Sequence, residues 1–188
     1  MITTSEPTIA VPTQVARPVP TDREAFFGLD EIIVSKTNTK GIITYANRVF
    51  MKISGYAEEE LLGKPHNCIR HPDMPRCVFK LLWDTISAGS EIFAYVKNLC
   101  KNGDYYWVHA HVTPTYDSLG KIIGYHSNRR VPGRKAVSYM EDLYRELRSI
   151  ESRHSNWREG MAAAGEALNQ KLKQAGVEYD EFIFSLED

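Results

Sequence analysis

The stretch His66–Trp83 reads H-N-C-I-R-H-P-D-M-P-R-C-V-F-K-L-L-W, and its two halves differ in chemistry. The first half crowds polar and cationic groups together. The second carries Val78, Phe79, Leu82 and Trp83 at helical spacing, with Ile86 continuing the stripe. Pro75 sits in the first turn, where a missing N–H costs little. Asp73 stands where it can cap that helix, and Gly89 stops it. A polar loop feeding an amphipathic helix reads as the wall of a ligand pocket.

Strands flank this wall on both sides. Upstream, E-I-I-V-S-K (31–36) is a β-branched strand, T-N-T-K-G (37–41) is turn chemistry, and I-I-T-Y-A (42–46) is a second strand. Asn47 opens a short helix whose Val49, Phe50 and Ile53 share a face and which Gly55 ends. A-E-E-E-L-L-G (57–63) adds a further turn or two. Downstream come strand 91–100, a Lys-Asn-Gly-Asp turn, the long alternating strand 105–116, a turn at 117–120 and strand 121–130. The order predicts an α+β domain over 23–131: one five-stranded antiparallel sheet with short helices on one face.

The flanks read differently. Residues 1–22 are rich in Pro and Thr and predict a flexible N-terminal arm, with Val11, Val15 and Val19 available to pack. Pro132 and Gly133 break the chain. Over 134–176, Met140, Leu143, Leu147, Ile150, His154, Trp157, Met161, Ala164 and Leu168 recur at alternating steps of 3 and 4. That is a heptad seam, and it predicts a long C-terminal helix in a coiled coil or bundle, hence a homodimer. Residues 177–188 form an acidic aromatic tail that docks on its own chain or on a partner.

Composition excludes several classes. The 188 residues are 43% hydrophobic and 25% charged, with a formal net charge of -1, so no global field favours nucleic acid or an anionic membrane. No apolar run approaches the roughly 20 residues of a membrane helix, and the N-terminus lacks the pattern of a signal peptide. The expectation is a cytoplasmic protein. Three cysteines without a C-x-x-C pair fit reduced thiols rather than a disulfide framework or zinc site. His109 and His111 share a strand face without a third ligand nearby, which is an ordinary sheet face. No nucleophile–base pair or phosphate-cradling glycine loop is present, so an enzyme is the least favoured reading.

Residues 31–130 resemble a PAS domain, in particular that of bacterial aerotaxis receptors. The resemblance rests on I-T-Y-A-N (43–47), S-G-Y (54–56), E-E-L-L-G (59–63), P-H-N-C-I-R-H-P-D-M-P (65–75) and V-K-N with K-N-G-D-Y-Y-W (96–107). It implies a non-covalently bound FAD whose redox state reports oxygen or energy status to a separate chemotaxis transducer. Carried over by position, it implies flavin contacts from Asn47, Arg70, His71, Asp73, Phe79, Trp83 and Asn98. Arg70 and His71 offer donors to a pyrophosphate or flavin carbonyl, Trp83 a flat apolar surface, and Asn98 both a donor and an acceptor. The family often has Trp where Ile92 stands here, which alters the pocket's shape.

Other readings of the same residues remain open at this point. Asn47 and Asp73 both fit helix caps, Phe79 and Trp83 fit core packing, and Arg70 and His71 fit a solvated loop. A heme b sensor would draw on His66 or His71. A blue-light sensor would need a reactive cysteine, but alignment puts that position at His66, two residues from Cys68. A cofactor-free interaction module needs no pocket at all.

Overall fold

Residues alternating along each strand point to opposite sheet faces, and here both faces are covered. We describe residues 17–187 of a computed structural model. Its elements are β1 (Ile33–Asn38), β2 (Ile43–Ala46), α1 (Arg48–Ser54), α2 (Glu58–Leu61), a 3-10 turn (His66–Ile69), α3 (Arg76–Ser87), β3 (Ile92–Leu99), β4 (Tyr105–Tyr116), β5 (Ile122–Arg130), α4 (Arg134–Ser152), α5 (Trp157–Ala175) and α6 (Tyr179–Phe184). The strands form one antiparallel sheet in the order β2-β1-β5-β4-β3. This is the PAS arrangement, and the strand limits lie within two residues of those read from the sequence.

The first face carries Ser35, Val96, Ala110 and Arg129 toward α3 and the 3-10 turn. The other carries Phe93, Tyr95 and Trp107, which α4 and α6 cover: the Tyr144 hydroxyl donates to the Tyr95 carbonyl at 2.7 Å, Trp107 stacks on Tyr144, and Phe93 meets Phe184 at 4.7 Å. Coverage on both sides explains why Tyr106, Trp107 and Val108 are all buried in succession.

The C-terminal pattern is corrected here. It folds as two helices, not one continuous coil. Asn156 accepts from the Arg158 amide and so starts α5, and Gly176, at φ 69°, ends it. Met140, Leu143 and Leu147 are buried in the chain's own core, and α5 turns back against α4. The seam therefore does not serve a coiled-coil homodimer in this structure. The aromatic outer sheet face needs cover, and α4 supplies it. The tail likewise docks on its own sheet, with Ile183 fully buried.

The arm is corrected in part. Val11 and Val15 lie outside the described residues. Residues 17–22 lie on the domain: Arg17 donates to the Asn67 carbonyl at 2.9 Å, the Thr21 amide to the Gly103 carbonyl at 2.9 Å, and the Thr21 hydroxyl to Asp104. Val19 is exposed rather than packed.

Candidate ligand-binding site

Between the first sheet face and α3 lies a cavity of about 890 Å³, within the usual size of a small-molecule site. Its apolar walls include Ile69, Phe79, Leu82, Trp83, Val96 and Val112. Phe79 and Trp83 come from α3, whose helical spacing brings both to one side. The Trp83 ring meets Tyr125 edge-on at 5.5 Å. It also rests on the β1–β2 turn, where Gly41 has φ +74° and an added Cβ would come within 2.9 Å of the indole.

The polar end of the cavity is built by β1, β5 and the 3-10 turn. Arg129, buried, donates to the Ser35 hydroxyl and to His66 Nε2, the latter at 3.1 Å. Ser35 Oγ is also 3.0 Å from that nitrogen. Burial, reinforced by the Arg129 charge, pushes the His66 pKa down to about 3, so the ring is neutral. A neutral ring facing a guanidinium N–H must accept through Nε2, which puts its own proton on Nδ1. Burial pushes the Arg129 pKa down to about 10, which still leaves it charged at neutral pH. Its guanidinium lies 4.9 Å from the Phe50 ring centre, and its NH1 has no hydrogen-bond partner among the described residues. Arg129 lines the cavity while its unpartnered NH1 is itself closed off, and a buried positive charge on a cavity wall suits an acceptor-bearing or anionic ligand.

The rim is cationic. Lys40, Arg70, Arg76 and Lys80 all line the cavity. Arg70 donates to the Met74 carbonyl at 3.0 Å, and its guanidinium carbon lies over Phe79, 4.1 Å from the ring centre. Burial lowers its pKa.

Of the residues singled out from the sequence, Arg70, Phe79, Trp83 and Asn98 line the cavity. Asn47, His71 and Asp73 do not. Asn47 caps α1 through the Phe50 amide at 3.0 Å and ties it to β1 through the Val34 amide and Ile32 carbonyl. His71 follows Arg70 in extended backbone, so the two side chains point to opposite sides. Burial pushes the His71 pKa down to about 4. His71 is buried away from the cavity, and the half-exposed Asp73 beside it accepts from Lys97 at 2.8 Å and from Arg148 of α4 at 2.7 Å. It does not cap α3. That role falls to Glu151 of α4, which accepts from the Cys77 amide at 2.9 Å.

Sequence reasoning missed Ser35 and Arg129, and gave His66 only to heme. The signal was present: Tyr125, Ser127 and Arg129 recur at the strand period, which places an arginine on the cavity face. None of the three cysteines lines the cavity. Among the described residues no group of three or more metal-ligating side chains occurs, and no helix is long and apolar enough to cross a membrane.

Comparison with known proteins agrees with this architecture. Residues 43–129 match the family model described as PAS fold. The chain is 42% identical over 118 residues to the aerotaxis receptor of Escherichia coli (strain K12), covering 63% of this chain and 23% of the receptor. The chain thus spans about a quarter of that relative's length. Among solved structures, the dark state of the blue-light photoreceptor Aureochrome1 LOV superimposes with a TM-score of 0.51 at 24% identity, over 63% of this chain and 86% of that one. A light-oxygen-voltage domain studied with a flavin analogue gives 0.52 at 20% identity, over 61% and 87%. At these identities the structures speak for the fold alone.

Proposed function

We propose that this chain, whose residues 43–129 are a PAS domain of the aerotaxis-receptor type, is a flavin-binding redox sensor with FAD in the cavity between the sheet and α3. The observation that carries the reading is Arg129: a buried charge on the wall of a ligand-sized cavity, held by neutral partners and facing no carboxylate among the described residues. When bound, a flavin supplies a redox couple whose reduced form places more negative charge at the edge of the ring system. In this reading Arg129 holds that edge; its hydrogen bonds to Ser35 and the neutral His66, which fix its orientation, support it. Trp83 and Phe79 offer apolar surface to the rings. Asn98 lines the same wall from β3 and supplies an amide that both donates and accepts. Arg70, Arg76, Lys80 and Lys40 suit the phosphates of a dinucleotide at the rim.

Two alternatives weaken on the same geometry. For the two histidines that the heme reading drew on, His66 Nε2 is taken by Ser35 and Arg129 and His71 lies outside the cavity; His126, which also lines it, has its Nε2 3.1 Å from Asn128 Oδ1. A cysteine adduct would need a thiol at the wall, and Cys68 is not there.

For the output, Lys97 precedes Asn98 on β3 and pairs with Asp73, which pairs in turn with Arg148 of α4. A change at the cavity wall is thereby linked to the helix covering the outer face, and through it to a separate signalling protein such as a chemotaxis transducer. The test is titration of the full chain with FAD, followed by flavin fluorescence. Trp83→Ala and Arg70→Ala lose affinity, while Lys36→Ala, away from the cavity, binds as the parent does. Unchanged affinity in both cavity variants, with their folds intact by circular dichroism, refutes the assignment.

A further inference from the structure

The cavity has a third wall that the PAS domain does not supply. Trp157 and Met161, from the first turns of α5, line it together with α3 and the sheet. Trp157 stays 48% exposed. The Arg158 guanidinium lies 4.6 Å from its ring centre, and one open face of a large aromatic at a cavity mouth is a surface that a flat ligand would cover.

Several contacts hold α5 in this position. Gly160 lies so close to α4 that an added Cβ would fall 2.4 Å from the Glu151 carbonyl oxygen. Glu151 in turn holds the start of α3. Farther along α5, a Cβ added at Gly165 would sit 3.8 Å from that of Cys77 on α3. The hairpin of α4 and α5 is therefore clasped to the helix that forms the cavity's side.

We propose that α5 is part of the ligand site, with Trp157 and Met161 closing its mouth over the bound group, so that α5 must separate from α3 for the ligand to enter or leave. This rests on the flavin reading above and adds a binding element to it. The helical hairpin then senses occupancy directly, by contact with the ligand.

The geometry provides its own test. A separation of 3.8 Å between Cβ atoms is that of a disulfide, so Gly165→Cys should pair with the native Cys77 under mild oxidation and lock α5 onto α3. The full-length chain is loaded with FAD and then oxidised or left reduced, and flavin release is followed by fluorescence after dilution. Release is expected to slow severalfold in the locked form and to recover on reduction. In parallel, Trp157→Ala is expected to weaken FAD binding roughly 2- to 10-fold, the loss of one aromatic contact. Equal release rates in the locked and reduced forms, with unchanged affinity in Trp157→Ala, overturn the proposal while leaving the flavin reading intact. Cys77 is buried and burial pushes its thiol up to about 12, so oxidation is run at high pH; where the bridge does not form, Trp157→Ala decides, and unchanged FAD affinity in that variant overturns the proposal. If the parent chain takes up no FAD, both readings fall together.

Discussion

Replacing Arg129 with Met moves stability and binding in opposite directions, and the size of each effect follows from the structure. Arg129 is 3% exposed, pairs with no carboxylate among the described residues, and donates there only to the neutral groups Ser35, Ser127 and His66. Keeping a charge in such a place costs several kcal/mol after relaxation. Removing it forfeits the contact with Phe50, about 0.5–2 kcal/mol. It does not orphan Ser35 or His66, which remain 3.0 Å apart and bond to each other. The ligand-free Arg129→Met chain is therefore expected to be more stable than the parent by about 1–3 kcal/mol, within the range seen when buried charges give way to apolar side chains. FAD affinity falls, because a hydrogen bond from a charged donor contributes about 1.5–3 kcal/mol, or roughly 10- to 150-fold in Kd. Urea unfolding of both proteins, with and without FAD, reads both numbers. A variant that is less stable when empty and binds FAD normally refutes the reasoning, for Arg129 would then be a structural residue.

Two further outcomes follow from buried groups. The His66 pKa is depressed in the fold to about 3 against 6.5 when unfolded, so the unfolded chain takes up a proton first as pH falls. Its contribution to stability is complete above pH 6.5 and drains away between pH 6.5 and about 3, by about 1.4 kcal/mol per pH unit. Acid titration of His66→Gln, whose amide oxygen can replace Nε2 as acceptor, should show a shallower slope in that window; an identical slope would contradict the buried neutral ring. Glu151→Ala removes the acceptor for the Cys77 amide and should lower stability by about 1–2 kcal/mol, the loss of a helix cap, as measured by thermal or urea unfolding; no loss would show that the contact does not hold α3.

The sheet was legible in the sequence because its signals are local. β-branched runs and turn residues such as Asn102-Gly103 mark each strand, and their order leaves one antiparallel sheet. The α3 stripe likewise announced Phe79 and Trp83 on one face. What escaped was decided at long range. Asp73 stands at the right spacing to cap α3, but Lys97 and Arg148 claim its carboxylate, and a glutamate 74 residues away claims the Cys77 amide. His71 seemed to belong with Arg70 because they are adjacent, yet extended backbone sends adjacent side chains to opposite sides.

The C-terminal segment shows local chemistry prevailing over a long period. The 3–4 spacing runs unbroken through His154, but the Asn156 cap starts a new helix, and Gly160 lets that helix approach α4 closely enough to fold back. Arg129 was not singled out within the strand 121–130, although its phase with Tyr125 and Ser127 puts it on the cavity face.

The central claim, that the cavity holds a flavin, is tested most directly on the freshly purified full chain. Its absorption spectrum is recorded before and after heat release of any ligand, the supernatant is separated by chromatography, and the emptied or colourless protein is titrated with FAD. The account predicts flavin absorption with FAD in the supernatant, or saturable uptake of added FAD at one per chain. A heme spectrum, or a colourless protein that takes up no added FAD, contradicts it.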